Sequence, residues 1–407
     1  MTSPSLLPQV EDWSDDPVRK AQDIADIVAK GAAERDRLHQ LPHEAFELIR
    51  SSGLGALRVP RRYGGYEASF RDTARVYLAL AKADPNVAQA FIPHVTSVER
   101  LVIVGSEEQR RHFLPKVVRG DLFGVANAEL GGKVRGGVAT TLRRDGSSYR
   151  LSGSKFYSTG SLFSQHIRIS AATPEGGRVV VLIPRDRAGI VLLDDWDGMG
   201  QRTTASGSTE LDDVEVLDHE IMRSARWNGL DRDYSDSAVH LLHAGLEVGI
   251  ALAVLDDAVH YTRTYARTVR ESGVARAADD PFIQHTIGSI AVRAHAAEAL
   301  YLRAADAVDA VADAPARGLS DPATLEALVI EAAVAVSEIK IFAAEAALKS
   351  AETLYEVGGA SMTRADANFD RHWRNARTHT THDPLSYRTK GVGAWLLNGT
   401  APPVGNA

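Results

Sequence analysis

The chain of 407 residues contains no cysteine and only four methionines. The first absence excludes disulfides, thiolate nucleophiles and cysteine-ligated zinc together. The low sulfur content fits either drift in an Ala-, Arg- and Asp-rich sequence or a protein made when sulfur is scarce. Basic runs are lacking as well. The net charge is −7, and phosphate binding needs a concentrated Lys/Arg face, so no nucleic-acid partner is expected. The start of the chain, MTSPSLLPQVEDWSDDPVRK, is acidic and has no continuous apolar stretch, unlike a secretory signal. No uncharged apolar run reaches the length of a membrane span, and a cytoplasmic protein is expected. Portable catalytic motifs are missing too: there is no Walker loop, HExxH or GxSxG. Gly391-Val-Gly393 lacks the third glycine of a dinucleotide fingerprint and follows no strand.

What remains is ordinary globular composition, 44% apolar and 24% charged, in a chain long enough for two or three domains. Three regions differ in pattern. Up to about residue 120 the spacing predicts helices. Val18, Ala21, Ile24, Ile27 and Val28 recur at helical intervals within 17–38, behind the capping-type Ser14, Asp15 and Asp16. Further helices are expected around 71–83 and 86–104, and another from Ser106, where SEEQ reads as a capping box. Between 121 and 225 the period shortens: 148–155, 167–172 and 178–183 are β-prone and separated by Gly, Asp and Pro clusters. From 226 to 407 long Ala-rich helices return over 237–270, 280–311 and 321–357, as in a bundle. The fold class is therefore α+β. An N-terminal helical domain (1–120), a middle β-barrel or sandwich domain (121–225) and a C-terminal four-helix bundle with a tail (226–407) are expected. The order helix–β–helix speaks against a doubly wound sheet.

Four strings, in order along nearly the whole chain, resemble the acyl-CoA dehydrogenase superfamily. They are Gly53-Leu54 to Pro60 with Tyr63-Gly64-Gly65; Gly105-Ser-Glu-Glu-Gln109 with Phe113-Leu114-Pro115 and Gly120; Leu151-Ser-Gly153-Ser-Lys155; and Arg374-Asn375-Ala376-Arg377. The resemblance implies a flavin lying between the β-domain and the bundle, usually in a homotetramer. Lys155-Phe156-Tyr157-Ser158-Thr159-Gly160 would then line the flavin, with Ser158 and Thr159 as hydroxyl partners. The other reading of these small polar residues is a plain β-turn.

Dehydrogenases of this superfamily commonly place a base Glu after the RDAR-like motif. Here that position falls on Asp383, followed by Pro384, and two histidines precede it in Thr378-His379-Thr380-Thr381-His382-Asp383-Pro384. This string resembles the flavin monooxygenase branch typified by dibenzothiophene monooxygenase. That branch uses reduced FMN, in some members FADH2, delivered by a separate NAD(P)H-flavin reductase. With O2 it forms a flavin C4a-hydroperoxide that must be kept from water. By the resemblance, His382 contacts the flavin and His379 helps hold the peroxide. On a helix the pair, spaced i,i+3, would share one face. His94, in Phe91-Ile-Pro-His94, matches a third histidine of that branch, although Val98 stands where the branch has a tyrosine. A metal pair at His379 and His382 would need a third ligand that no spacing supplies, and surface histidines are the remaining reading.

Other positions follow from the resemblance. Asn127 and Glu129 match a loop that lies along the flavin. Trp196 and the loop Gly200-Gln201-Arg202-Thr203-Thr204 resemble a substrate-side β-loop, where an aromatic ring would stack on flavin or substrate. Arg267, or equally Arg263, would reach the flavin phosphate. Gly358-Gly359-Ala360-Ser361 would offer helix N–H groups to the same anion, and is otherwise a helix–helix turn. The tail from Trp395 would reach a neighbouring subunit. The expected reaction is oxygenation of a small apolar organosulfur compound. N-hydroxylation within the same branch, or an FAD-dependent acyl-CoA dehydrogenase, are the alternatives.

Overall fold

The computed structural model describes residues 14–130, 137–223 and 229–402, with the backbone alone at 229–232. Helices occupy the chain up to residue 118. α1 (Pro17–Val28) starts on the Asp16 side chain, which accepts from Val18 N, and has Pro17 in its first turn. The single helix expected over 17–38 is instead broken: a 3-10 turn at Ala29–Gly31 separates α1 from α2 (Ala32–Leu38). Gly31 is the weak point, since glycine is the poorest helix former after proline. α3 (His43–Ser51) and α4 (Phe70–Ala83) follow, and α4 is capped by Ser69. Next come α5 (Pro85–Val104), capped by Asp84, and α6 (Glu107–Val118). The expected capping box at α6 is present, with Ser106 and Gln109 each accepting from the other's backbone N–H. Gln109 does more than cap. Its Nε2 donates to His219 O and Ile221 O, both at 3.0 Å, tying α6 to the β-region.

The strands are β1 (Phe123–Ala126), β2 (Thr141–Asp145), β3 (Ser148–Lys155), β4 (His166–Ala172), β5 (Arg178–Pro184), β6 (Ile190–Leu192), β7 (Thr209–Val216) and β8 (Ile221–Arg223). They form one eight-stranded sheet in the order β6-β7-β3-β2-β4-β5-β8, with β1 added parallel to β4. The end strands β6 and β8 are not neighbours on this path, so among the described residues the sheet is not hydrogen-bonded into a ring. Period-2 alternation sorts its side chains. Ala126, Leu142, Leu151, Ile167, Ile169, Val181 and Val214 pack together in one core. Their alternates Phe123, Leu182 and Met222 pack instead with Val98 and Leu101 of α5 and Phe113 and Leu114 of α6.

The remainder is helical: α7 (Gly229–Thr264), α8 (Pro281–Ala312), α9 (Pro322–Thr353), α10 (Asp370–His379) and α11 (Leu385–Asn398). Asp280 and Asp321 cap α8 and α9, each with proline in the first turn. α9 ends at Thr353, and a 3-10 turn covers 354–357 ahead of Gly358. Buried Ile290, Ala294, Ala297, Tyr301, Ala304, Ala305 and Val308 recur on α8 at helical spacing and form its bundle face. The fourth side of the bundle is α10 and α11, a helix interrupted at 380–384. α4 also joins, inserting Phe70, Ala74 and Leu78 among Ala238, Leu241 and Val248 of α7. Two of the described helices, at 85–104 and 233–264, are long and apolar enough to cross a membrane, contrary to the expectation of none. Both windows are 78% buried within the fold, as core helices are.

Candidate active site

Where β3 ends, the chain makes a shelf of hydroxyls beside α5. Tyr157 has φ 57°, a left-handed conformation that non-glycine residues rarely adopt, and Gly160 has φ 75°. At Gly160 a Cβ would collide with the Ala90 carbonyl of α5, so the strand exit lies directly on that helix. Ser158 and Thr159 are buried. Thr209 Oγ1 donates to Ser158 Oγ at 2.7 Å, and Thr159 Oγ1 lies 2.8 Å from Ser206 Oγ, itself 2.7 Å from Thr204 Oγ1. Thr204 Oγ1 donates to Gln201 O at 3.0 Å.

Gln201 is the hinge between sheet and bundle. Its backbone is left-handed (φ 52°), its N–H donates to Asn375 Oδ1 on α10 at 2.6 Å, and its carbonyl accepts from Trp196 Nε1 at 2.7 Å. Gly200 lies so close to the α10 backbone at Arg374 that no side chain fits. Yet both polar atoms of the Gln201 amide are buried without a partner among the described residues, as are Thr203 Oγ1 and Asn127 Oδ1. A buried polar atom left unpaired is costly. Four in this neighbourhood, beside the aromatic edge formed by Trp196, Tyr157 and Phe156, suit a ligand with a flat ring and polar rim. Flavin fits that description.

Two expected site residues are committed elsewhere. The Glu129 carboxylate accepts from Lys155 Nζ (2.5 Å), Thr140 N (2.9 Å), Thr140 Oγ1 (2.7 Å) and Ala139 N (2.6 Å). Burial alone would raise its pKa, but these donors outweigh it and hold it at about 2. Its side chain fastens the 137–140 segment to β3 and has no capacity left for a flavin. His94 is likewise saturated. Nε2 donates to Gly55 O at 2.7 Å, and Nδ1 accepts from Phe123 N at 3.1 Å. The ring is stacked between Phe91 and Phe123. Burial pushes it down to about 4. It is a neutral core histidine with both nitrogens occupied.

His379 and His382 do come together, though not on one helix. α10 ends at His379, and His382 sits in the following turn, its N–H donating to His379 O at 2.9 Å. Their rings lie 6.3 Å apart and nearly parallel. A third ring joins them: His243 of α7 lies 4.5 Å from His382 and 5.1 Å from His379. α10 runs antiparallel to α7, so His372 meets Asp257, His379 meets Glu247 and His243, and Asp383 meets His240.

Hydrogen-bond logic sets the tautomers. Glu247 is fully buried; its Oε1 is 3.2 Å from Lys340 Nζ of α9 and 2.9 Å from His379 Nδ1. Burial would raise its pKa, but the Lys340 charge and the His379 bond bring it below the ordinary carboxylate range. As a carboxylate it only accepts, so His379 carries its proton on Nδ1. Burial, then the Lys340 charge, push His379 down to about 4, against the pull of Glu247. Neutral His379 therefore presents a bare Nε2, which accepts from His243 Nδ1 at 2.9 Å. His382 Nδ1 lies 3.1 Å from Asp383 Oδ1. Asp383 also faces His240 Nδ1 at 3.0 Å and Arg388 at 3.3 Å. Despite burial, its hydrogen bonds to His240 and His382 hold it far below the carboxylate range. The pattern His240, His243, Glu247 has helical i,i+3 and i,i+4 spacing, a signal present in the sequence that the motif reading passed over.

Arg267 and Ser361 also meet, Nη2 to Oγ at 3.5 Å, with Ala360 adjacent in the 3-10 turn Gly359–Thr363. That turn is too short to act as a helix anion site. Arg263, Arg267 and Arg276 line one basic hollow of about 470 Å³ just beyond the C-terminal end of α7.

Acid should weaken the fold through the buried histidines. His94 and His379 titrate near 4 when folded and near 6.5 when unfolded. Below pH 6.5 the unfolded chain takes up protons that these rings refuse, so stability falls between pH 6.5 and 4. His240 works in the opposite sense: its two carboxylates raise its pKa against burial, a contribution complete below pH 6.5 and lost as pH rises through the raised value. The unfolding free energy read from urea titrations should therefore drop on going from pH 6.5 to 4.5, by on the order of 2–4 kcal/mol. An unchanged midpoint over that range would contradict the neutral assignment of both rings.

Profiles of the acyl-CoA dehydrogenase N-terminal, middle and C-terminal domains match residues 18–121, 123–214 and 241–387. A dibenzothiophene monooxygenase of Rhodococcus qingshengii is 32% identical over 399 residues, covering 95% of this chain and 94% of that protein. The crystal structure of FMN-bound TdsC from Paenibacillus sp. A11-2 superposes with a TM-score of 0.87 at 28% identity, covering 96% of this chain and all of that one. Methanesulfinate monooxygenase MsuC from Pseudomonas fluorescens gives 0.87 at 30% identity, covering 95% of this chain and 98% of that one. The chain belongs to the acyl-CoA dehydrogenase family and, within it, to the flavin monooxygenase branch.

Proposed function

We propose that this chain is a two-component monooxygenase that takes reduced FMN from a separate NAD(P)H-flavin reductase in the cytoplasm and uses O2 to oxygenate a small organosulfur compound. The observation that carries this reading is the stacked trio His243, His379 and His382 with its buried anchor Glu247. Asp383, which falls where a dehydrogenase base would stand, is paired three ways and its pKa is depressed. A carboxylate held so far below neutrality is a poor base for a carbon acid. The sulfur substrates named for dibenzothiophene monooxygenase and MsuC support oxygenation at sulfur, and FMN-bound TdsC supports FMN over FAD.

Bound reduced FMN would supply the electrons that activate O2. Asn127 and the Gln201 amide would meet the polar edge of its ring, Ser158 and Thr159 would add hydroxyls, and Trp196 would cover the ring against water. His382 donates Nδ1–H to Asp383, so Nε2 is its atom for holding or delivering a proton to the oxygen released as water. His243 and Glu247 are positioning residues: they fix ring orientation and tautomer, as outer-shell carboxylates do for imidazoles elsewhere.

His243 and the end of α7 at Thr264 are separated by roughly 30 Å of helix. One FMN cannot reach from His382 to Arg267 of the same subunit. Arg267, Ser361 and Ala360 would therefore hold the phosphate of a flavin seated on a neighbour. Exposed Tyr387, Leu396 and Leu397 on α11 would be covered in the same homotetramer.

Rapid mixing of the reduced FMN complex with oxygenated buffer should show two well-separated phases of flavin reoxidation. His382→Ala should merge them and divert oxygen to H2O2, and Glu247→Gln should cut coupled product about tenfold or more. Single-phase reoxidation by the unmodified protein, with anaerobic bleaching of its flavin by an acyl-CoA, would restore the dehydrogenase reading. Sedimentation should give the mass of four chains; a monomer would remove the shared phosphate site.

A further inference from the structure

His240 of α7 is buried, yet each of its ring nitrogens faces a carboxylate. Nε2 lies 3.3 Å from Asp236 Oδ1, one turn earlier on α7, and Nδ1 lies 3.0 Å from Asp383 Oδ2. A neutral imidazole has a single N–H, so its bare nitrogen would turn a lone pair toward one of these acids. The imidazolium suits both. Burial opposes that charge, but Asp236 and Asp383 overcome it and raise the pKa of the ring.

Asp383 divides its two oxygens between two tasks. Oδ1 lies 3.1 Å from His382 Nδ1, while Oδ2 takes His240 and, at 3.3 Å, Arg388 Nη2 of α11. A carboxylate paired with one histidine and nothing else favours the cationic form of that ring. Asp383 is placed differently, because two cations load the oxygen that faces away from His382. Asp236, His240, Asp383 and Arg388 together hold two negative and two positive charges. The groups around them keep this balance. Arg100 of α5 acts on Asp236. His243, its ring 6.0 Å from that of His240, is kept neutral by burial and by the charges near it. Glu247 and Lys340 offset one another at 3.2 Å.

We propose that His240 and Arg388 are positioning residues for the oxygen-handling step: as cations on Oδ2 they offset the charge of Asp383, so that His382 keeps its Nδ1–H bond to Oδ1 yet readily releases a proton from Nε2. This rests on the reading of His382 as the ring that holds or delivers a proton to oxygen, and deepens it. Protonated at Nε2, His382 is a third cation around one carboxylate, which favours giving that proton up. The N–H bond breaks, an O–H bond forms on the departing oxygen, and the ring stays tethered through Nδ1. Its next proton comes from water, since His382 is 43% exposed. As pH rises through the raised pKa of His240, that cation is lost and Asp383 draws a proton back toward His382.

Diethyl pyrocarbonate acylates unprotonated imidazole. The pH dependence of its reaction at His382, read by peptide mass spectrometry on the flavin-free protein, therefore follows the charge of that ring without turnover. His240→Gln should move the midpoint upward by on the order of one pH unit. Glutamine can still donate to Asp383, so a side chain that merely braced the aspartate would leave the midpoint where it was. Arg388→Gln, at a half-buried position, should move it in the same direction. A midpoint that stays put or falls in either folded variant overturns the proposal. The share of reduced FMN reoxidised to H2O2 is then followed over the same pH range, and its profile should move with the midpoint. A shifted midpoint with an unshifted H2O2 profile would leave the charge coupling standing and break the reading of His382 as the proton carrier.

Discussion

Glu247 sits fully buried on α7, and the candidate site is organised around keeping its charge compensated. A carboxylate removed from water is tolerated only when cations or strong donors replace the lost hydration. Here Lys340 comes from α9 and His379 from α10. One oxygen thus joins three helices that are distant in sequence. Removing either partner would leave a buried charge uncovered, a loss of about 3–5 kcal/mol for typical buried pairs. The same contact has a chemical consequence. By accepting from Nδ1 of His379 it fixes that ring's tautomer, hence that of His243 stacked against it, and it holds the ring beside which His382 is placed.

The bundle would be only a bundle without its seam to the sheet. Asn375 and His379 lie four residues apart, on one face of α10. Asn375 grips Gln201 N–H, and Gly200 lets the loop approach the α10 backbone without a side chain between. From Gln201 the contacts run through Thr204 and Ser206 to Thr159 at the end of β3. The histidine trio and the hydroxyl shelf, encoded about 220 residues apart at Thr159 and His379, are therefore held in register by a few polar contacts. Left-handed Tyr157, Gln201 and Ala205 cluster in these loops, where strain is retained when the surroundings over-determine it.

Much of this architecture is legible in the amino-acid sequence. Helix boundaries at α5, α8 and α9 follow from Asp ahead of apolar spacing with proline next, and β3 spans the residues that its β-prone pattern predicts. Local rules decide such features. The surroundings of His94 and Glu129 are not legible, for the opposite reason. A histidine or glutamate in a familiar string gives no sign of whether Gly55, Phe123, Lys155 or Thr140 will fold back to occupy it. His240, His243 and Glu247 have the spacing of a functional face. Only the antiparallel passage of α10 turns that spacing into a site.

The central claim is that one atom of O2 enters an organosulfur substrate on this scaffold. Single turnover of the reduced FMN complex under ¹⁸O2, with benzenesulfinate present and the product read by mass spectrometry, tests it most directly. One ¹⁸O atom per sulfonate formed, with none from labelled water, is the predicted result. Unlabelled product, or complete return of the oxygen as H2O2 with the sulfinate and dibenzothiophene both untouched, would contradict it.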